Sequence, residues 1–457
     1  MDRKPWIEQI EEIVGPDHIL TSDMDRILYG YDASLAKGKA DAVVLPGDTD
    51  EVSRVMALAH RERIPVIARG SGTNLSGGTV PARGGVVIHL SRMNRILEID
   101  LPNRTATVEP GVITLDLQNR LLRDGFVYAP DPASQKVSTL GGNLGENSGG
   151  PHCLKYGVTT NHVLGAEVVL SDGTVMWTGG KTHDSAGYDL TGLLVGSEGT
   201  LGVVTCMILR ILRAPEAVKT MLAVYDSIED AGNTVSAVIA EGIVPATLEM
   251  MDRVVMQAVE ASVQAGYPLD AAAVLIIELD GMVDGMERQA QKIQAICRRH
   301  HVREIRTARD DAERAKLWAG RKGAFGAITR LKPSYMVGDG TVPRTRLPGV
   351  LKRVLETGEK YGLLIGNVFH AGDGNLHPLI LFDERVEGEL ERVKAASSEI
   401  LKICAEAGGT ISGEHGIGLE KLEEMHFVFS EGDLAVMRQV KKAFDPKGLL
   451  NPGKVVP

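Results

Sequence analysis

The chain has 457 residues, of which 43% are apolar and 24% charged, so it is long enough for two or three domains and has the composition of a globular chain rather than a disordered one. A formal net charge of −10 argues against nucleic acid as a partner, because polyanion binding draws on clustered Lys and Arg. The opening stretch MDRKPWIEQIEEIVG lacks a continuous apolar core and does not read as a signal peptide, and the longest apolar run, AAAVLIIEL, has only strand length, so a cytoplasmic location is expected.

Between 41 and about 213, short apolar strands punctuated by glycine dominate: AVVLP, IPVIAR, GVVIHL, ATVEPG, VLGAEVVL and LGVVTCMIL. Two helices are predicted among them, 50–63, with Thr49 and Asp50 as candidate caps, and 114–123 after PGVI. Pro215 marks a change of texture. From 220 to about 307 the strand-like MLAVYD, ATLEMMD, AVLIIELDG and VREIRT alternate with amphipathic stretches such as 284–299, which predicts a ferredoxin-like sheet with helices on one face. A helix at 308–331, a strand in YMVGDGTVP, another helix and the hairpin-like LLIGNVFHAGDGNLHPLILFD continue this region. The tail AFDPKGLLNPGKVVP is too irregular to fold alone and is expected to dock on an existing domain. Four cysteines, Cys153, Cys206, Cys297 and Cys404, form no C-x-x-C pair, which argues against an in-chain iron-sulfur cluster or zinc ribbon and predicts buried thiols.

The stretch IPVIARGSGTNLSGG delivers a strand into Gly70, Ser71, Gly72, Thr73, Asn74, Ser76, Gly77 and Gly78. The spacing is wrong for G-x-G-x-x-G, and the next segment, GGVVIHL, reads as a strand where the dinucleotide fingerprint requires a helix. Such a loop can still present successive N–H groups to a diphosphate, with Ser and Thr hydroxyls as further donors; the alternative is a long turn between two strands. The same texture recurs in PDPASQKVSTLGGNLGENSGGPHCLKYG and in GYDLTGLLVGSEGTLGVVT. Three such loops in one domain point to a large polar ligand contacted by backbone from several sides.

These motifs resemble the FAD-linked oxidases of the vanillyl-alcohol oxidase (PCMH-type) superfamily, and specifically the D-2-hydroxyacid dehydrogenase branch with its glycolate oxidase catalytic subunits and D-lactate dehydrogenases. The resemblance covers essentially the whole chain. It implies an α+β protein: a PCMH-type FAD-binding domain of two α/β subdomains at 1–214, a ferredoxin-like substrate and metal domain at 215–413, and a segment at 414–457 that returns to the flavin. ARGSGTNLSGG then resembles the pyrophosphate loop, with Arg69, Gly70, Ser71, Gly72, Thr73, Asn74, Gly77 and Gly78 as contacts. PDPASQKVSTLGGNLGENSGGP resembles the segment along the flavin, through Pro130, Asp131, Ser134, Thr139, Gly141, Gly142, Asn143, Asn147, Gly149 and Gly150, with Gly157 just beyond. GSEGTLG resembles the adenine and ribose side, with Glu198, Gly199, Gly202 and Val203, and FDPKGLLNPGK supplies Asn451. Covalently flavinylated relatives often carry a histidine late in the first loop, where this chain has Thr73, so noncovalent FAD is expected.

In the hairpin-like stretch, LLIGNVFH ends a strand at His370 and LHPLILF begins the return at His377. Residues flanking a hairpin turn are cross-strand neighbours, so both imidazoles can face one point, which is metal-ligand geometry; a hydrogen-bonded pair steadying a turn is the alternative. GGTISGEHGIG adds Glu414 beside His415, and two histidines with one carboxylate leave open positions on a divalent ion. Adjacent residues of an extended segment point apart, so Glu414 and His415 can serve one pocket only if the glycines bend the chain. The resemblance likewise implies that His370, His377 and Glu414 hold a divalent metal (Zn, Mn or Fe), and that His415 is the general base, its ordinary pKa of about 6.5 suiting the task. Arg321, beside Lys322 in KLWAGRKGAF, matches the carboxylate-binding arginine, with a solvated charge pair as the alternative.

Where the hydroxyglutarate enzyme of this branch has a threonine and a lysine for a second carboxylate, this chain has Phe325 and Val337. A small monocarboxylate, D-lactate or glycolate, is therefore the expected substrate, with a longer D-2-hydroxy acid such as D-2-hydroxyglutarate as the alternative. Rivals from other classes are a metal-dependent hydrolase or lyase on the same ligands, and a flavin-bearing electron-transfer or scaffold subunit. With no cysteine cluster in the chain, electrons are expected to leave to an iron-sulfur subunit, an electron-transfer flavoprotein, a quinone or a cytochrome. Peripheral association with a membrane electron-transfer complex and a homodimer complete the expected partners.

Overall fold

The computed structural model describes residues 4–182 and 186–457. The chain separates into two compact units: Met1–Gly149, Gly157–Ala214 and Glu414–Pro457 form one, and Gly150–Tyr156 with Pro215–Gly413 the other.

In the first unit, Ala42–Val44, Val86–His89 and Val66–Arg69 form parallel pairs, with Ile19–Leu20 added antiparallel at one edge. These strands are almost wholly Val, Ile and Ala because helices Pro5–Val14 and Thr49–Glu62 cover them, their Ile7, Ile10, Val52, Val55 and Met56 packing on Val44, Val66, Val86 and Ile88. The cap of Thr49–Glu62 is Asp48, whose side chain accepts from Glu51 N–H, rather than Thr49 or Asp50, which open the first turn. A second, antiparallel sheet runs Ile96–Asp100, Thr105–Val108, Val203–Arg210, Val163–Val169, Val175–Gly179. Helices Thr114–Leu122 and Leu140–Glu146 pack on it through Leu117, Leu121, Leu140 and Leu144.

The second unit is α+β, built on a nine-stranded sheet whose spine runs Glu304–Thr307, Ala217–Tyr225, Ala273–Gly281, Thr247–Asp252, Leu364–His370. Every pair along it is antiparallel. Helices cover both faces, not the one face expected. Arg253–Glu260 and Asp311–Ile328 bury Val255, Val259, Leu317 and Trp318 against Leu222, Val224, Val274 and Ile276. On the opposite face, Tyr225 Oη donates to Thr234 of Ile228–Ala240, and Gln294 of Met286–Arg299 reaches Met221. Two-sided burial is why MLAVYD and AVLIIEL read as continuous apolar runs without alternation. Cys206, Cys297 and Cys404 are buried, whereas Cys153 is half-buried. Among the described residues no helix is long and apolar enough to cross a membrane.

Candidate active site

In the first unit the strand Val66–Arg69 runs into the glycine loop, which returns as the parallel strand Val86–His89 with no helix between them. The loop forms one wall of a cleft; the other walls come from Thr139–Glu146 and from the turn between Ser197 and Val204. Parts of all three glycine-rich stretches thus meet at one cavity, lined by Arg69, Gly70, Gly78, Thr139, Gly141, Gly142, Glu198, Gly199 and Gly202. The wall is packed too closely for larger residues at two of these glycines: a Cβ on Gly70 would come within 2.2 Å of Thr139 Oγ1, and one on Gly202 within 2.4 Å of Val168 Cγ2. Asn74 is not on the cavity wall, but its Nδ2 lies beside Gly78, which is, and is buried without a hydrogen-bond partner, a spare donor of the kind an oxygen-rich ligand takes up. Glycine walls, an unpaired amide donor and the Arg69 guanidinium fit a dinucleotide such as FAD.

The other residues expected to touch the flavin do not line this cavity. Ser71 Oγ donates to Val137 O, Pro130 O accepts from Gln118, and Asn143 donates to Thr114 Oγ1 in the core, where Val203 is also fully buried. Asn147 ends Leu140–Glu146 in a left-handed conformation, φ 53°, and accepts from Thr160 N–H. Gly157 turns at φ 81° against Asn161, Gly150 falls in the second unit, and Gly72, Thr73, Gly77, Asp131, Ser134 and Gly149 lie outside the cavity wall.

The tail docks on this cleft's loops. Asn451 is fully buried and left-handed (φ 42°); its Nδ2 donates to Gly78 O at 2.7 Å and Glu198 O at 2.6 Å, joining the first loop to the GSEG turn. Lys454 Nζ donates to Gly78 O and Val80 O, and burial lowers its pKa to about 8 against the pull of Glu198, Asp32 and Glu146. Glu146 and Glu198 both line the cleft, and burial raises the pKa of each; in Glu146 the neighbouring Glu198 adds to it. Glu198 Oε1 accepts from Ile417 N–H (2.7 Å) and Gly418 N–H (3.1 Å), fastening the GEHGIG stretch. Gly416 and Gly418 have φ of 85° and 50°. Within that bend Glu414 Oε1 and His415 Nε2 stand 4.0 Å apart, so the two adjacent side chains share one side of the chain. Sequence reasoning missed Glu146 and Lys454; both sit inside the loop and tail motifs, and only their burial distinguishes them from solvated charges.

In the second unit the hairpin register pairs His370 with Asn375 and Asn367 with Pro378. His377 is therefore the diagonal neighbour of His370 on the same face rather than its direct partner, and the rings lie edge to face with centroids 5.1 Å apart. Asn375 shares that face, and its Oδ1 is buried with no hydrogen-bond partner. Two imidazoles and an unpaired amide oxygen on one buried face are a donor set that fits a divalent cation. His377 Nδ1 lies 3.3 Å from Gly338 O and 3.9 Å from Asp339 Oδ1. Asp339 Oδ2 in turn accepts from Ser412 Oγ and Gly413 N–H, holding the end of this unit's chain.

Across the other neighbour strand His370 faces Glu249, which sequence reasoning did not single out. Glu249 is 1% exposed; its Oε1 lies 2.8 Å from His370 Nδ1, and its Oε2 accepts from Arg321 Nε at 2.7 Å and Nη2 at 2.6 Å. Burial works to raise the Glu249 pKa, but the His370 and Arg321 charges outweigh it and hold the carboxylate below its ordinary value. Arg321 itself is 3% exposed, so the solvated surface pair falls away. One turn earlier on the same helix, Trp318 Nε1 donates to buried Glu278, which also accepts from Thr220 Oγ1 and Arg314. Burial opposes ionisation of Glu278, but these bonds and one from His152 bring its pKa down to about 2. Phe325 lies 6.4 Å, ring to ring, from both His377 and Tyr335, and Val337 packs on the same apolar cluster.

Residues 40–179 match the FAD binding domain family and residues 214–455 the FAD linked oxidases, C-terminal domain. The chain is 46% identical to the glycolate oxidase subunit GlcD of Bacillus subtilis (strain 168), over 98% of this chain and 96% of that protein. It is 44% identical to glycolate oxidase subunit GlcD of Escherichia coli (strain K12), over 100% and 92%. It is 36% identical to the D-lactate dehydrogenase of Archaeoglobus fulgidus, over 99% of each. Among solved structures, p-cresol methylhydroxylase with substrate bound superposes with a TM-score of 0.84 over 98% of this chain and 96% of its own, at 18% identity, which shows the PCMH-type fold.

Proposed function

Because the chain belongs to the FAD-linked oxidases and is an FAD-linked oxidoreductase, we propose that it oxidises a small D-2-hydroxy acid, glycolate or D-lactate, to the 2-keto acid. The observation that carries the choice of substrate is the buried Arg321 guanidinium held near the two imidazoles, with apolar Phe325 and Val337 packed beside them. One desolvated fork suits one carboxylate. An apolar flank would leave a second carboxylate unpaired, which disfavours the longer diacids. The names of the relatives point to the same two acids.

In this reading the loops of the first unit hold FAD noncovalently, and bound FAD supplies, through its N5, the acceptor for the C2 hydride. His370, His377 and Glu414 hold a divalent cation that supplies a Lewis acid for the substrate hydroxyl. Glu414 follows directly on Gly413, which Asp339 anchors in the second unit through its backbone N–H. Arg321 fixes the carboxylate and so orients C2. His415 takes the hydroxyl proton on an imidazole nitrogen as the C2–H bond breaks, so the acid loses two electrons and two protons in all. The electrons leave the chain to an iron-sulfur subunit, an electron-transfer flavoprotein, a quinone or a cytochrome.

The test is anaerobic bleaching of the bound flavin by a panel of D- and L-2-hydroxy acids, with and without chelator. Bleaching by glycolate and D-lactate, slowed at least tenfold by chelator, is expected; a protein that releases no FAD on acid treatment, or that no 2-hydroxy acid bleaches, sinks the reading. His415→Asn should abolish bleaching while retaining FAD, and unchanged bleaching would remove His415 as the base.

A further inference from the structure

We propose that Glu249 is a positioning residue that fixes both halves of substrate binding at once, aiming His370 Nε2 at the cation and Arg321 at the carboxylate. The proposal rests on the reading of His370 as a cation ligand and Arg321 as the carboxylate anchor. Three features of the fold carry it. The register of Thr247–Asp252 against Leu364–His370 places Glu249 directly opposite His370, so their approach is set by the sheet and not by a loop. The two carboxylate oxygens are divided: Oε1 takes His370 Nδ1 at 2.8 Å and a weaker bond from Thr247 Oγ1 at 3.2 Å, while Oε2 takes the Nε and Nη2 edge of Arg321. Glu249 is 1% exposed, so bulk solvent does not reach the carboxylate.

An ionised carboxylate only accepts, so the proton of a neutral His370 must sit on Nδ1, which leaves Nε2 as the lone pair. A carboxylate behind a ligating imidazole fixes its tautomer and raises its basicity. The same carboxylate occupies one edge of the Arg321 fork and turns the rest of the guanidinium to a defined direction. A plain counterion would need only to neutralise Arg321 and could sit anywhere around it. Glu249 spends one oxygen on each partner, so displacing it disturbs cation and carboxylate binding together.

The test uses the full-length, flavin-loaded protein stripped of metal. Affinity for Zn²⁺ or Mn²⁺ alone is read by titration calorimetry, and KM and kcat for D-lactate and glycolate are then read by flavin reduction. Glu249→Gln should weaken the metal by about 10- to 100-fold and raise KM by at least about tenfold, with a smaller change in kcat. Glu249→Asp keeps the charge that folding requires but withdraws it by one methylene, and should weaken the metal in the same direction. A folded Glu249→Asp or Glu249→Gln with wild-type metal affinity and wild-type KM would overturn the proposal. His370→Ala separates the two levels: if it abolishes metal binding while the Glu249 variants bind normally, Glu249 is a counterion only. If His370→Ala leaves metal binding intact, the cation reading fails and the role given to Glu249 fails with it.

Discussion

The flavin cleft of the first unit and the polar cluster of the second are made of different parts of the chain. Seven of the eighteen residues lining the cleft are glycines from three loops, and the tail residues Asn451 and Lys454 donate mainly to backbone carbonyls. The cluster is made of side chains: Glu249, Arg321, His370 and, one turn from Arg321, the bonds of Glu278. Backbone contacts are many and each is small, whereas a buried ion pair concentrates its free energy in two residues. Single substitutions should therefore cost much more in the second unit than in the first.

The largest effect is expected at Arg321. Arg321→Ala takes from Glu249, 1% exposed, one of its two charged partners and leaves the buried carboxylate facing His370 alone, and breaking such a pair costs about 3–5 kcal/mol. The urea midpoint of the second unit's unfolding transition should fall accordingly, while the amount of FAD retained per folded chain stays at the wild-type level. A loss below about 1 kcal/mol would mean that the pair behaves as a surface one and that the contrast between the two sites is wrong.

Next comes a pH dependence that also belongs to the second unit. The pKa of Glu278 falls from an ordinary 4.5 to about 2, because hydrogen bonds from His152, Thr220 and Trp318 and the Arg314 charge outweigh its burial. A depressed carboxyl binds fewer protons folded than unfolded, so its contribution is complete above about pH 4.5 and is lost as pH falls toward 2. The amount is on the order of 3 kcal/mol at one unit per 1.36 kcal/mol. Glu278→Gln should flatten the acid limb of the stability curve over that window, and an unchanged limb would show that Glu278 does not carry it.

The same contrast explains what could be read from the sequence. Backbone sites leave local strings: GSGTNLSGG, STLGGN and GSEGTLG are legible because only glycine permits the approach, and the chain's neighbours in sequence are its neighbours in space. Long-range side-chain contacts leave none. Glu249 lies in ATLEMMD, where a carboxylate at an otherwise apolar strand looks like one exposed position; its burial depends on His370, 121 residues away, and on Arg321, 72 away. The diagonal placement of His377 follows from a register that the seven-residue spacing does not fix, since the turn length decides which residue stands opposite His370. Helices on both sheet faces were missed for a related reason: a strand buried twice has no alternation with which to count its faces.

The smallest effect, and the sharpest test of the backbone account, is at Gly70. A Cβ there would stand 2.2 Å from Thr139 Oγ1, so Thr139 must rotate and give up its bond to Gly142 N–H, the N-cap of Leu140–Glu146. Losing that cap costs about 1 kcal/mol. Flavin affinity should therefore fall by roughly five- to tenfold in Gly70→Ala, read as FAD fluorescence released on dilution, with the stability of the second unit untouched. Thr139→Ala removes both the clash and the cap, so Gly70→Ala added to Thr139→Ala should have little further effect, a coupling on the order of 1 kcal/mol. Additive losses would mean that the extra methyl group obstructs the flavin itself and does not act through Thr139; the cleft would then depend on open space at Gly70 and not on the helix start behind it.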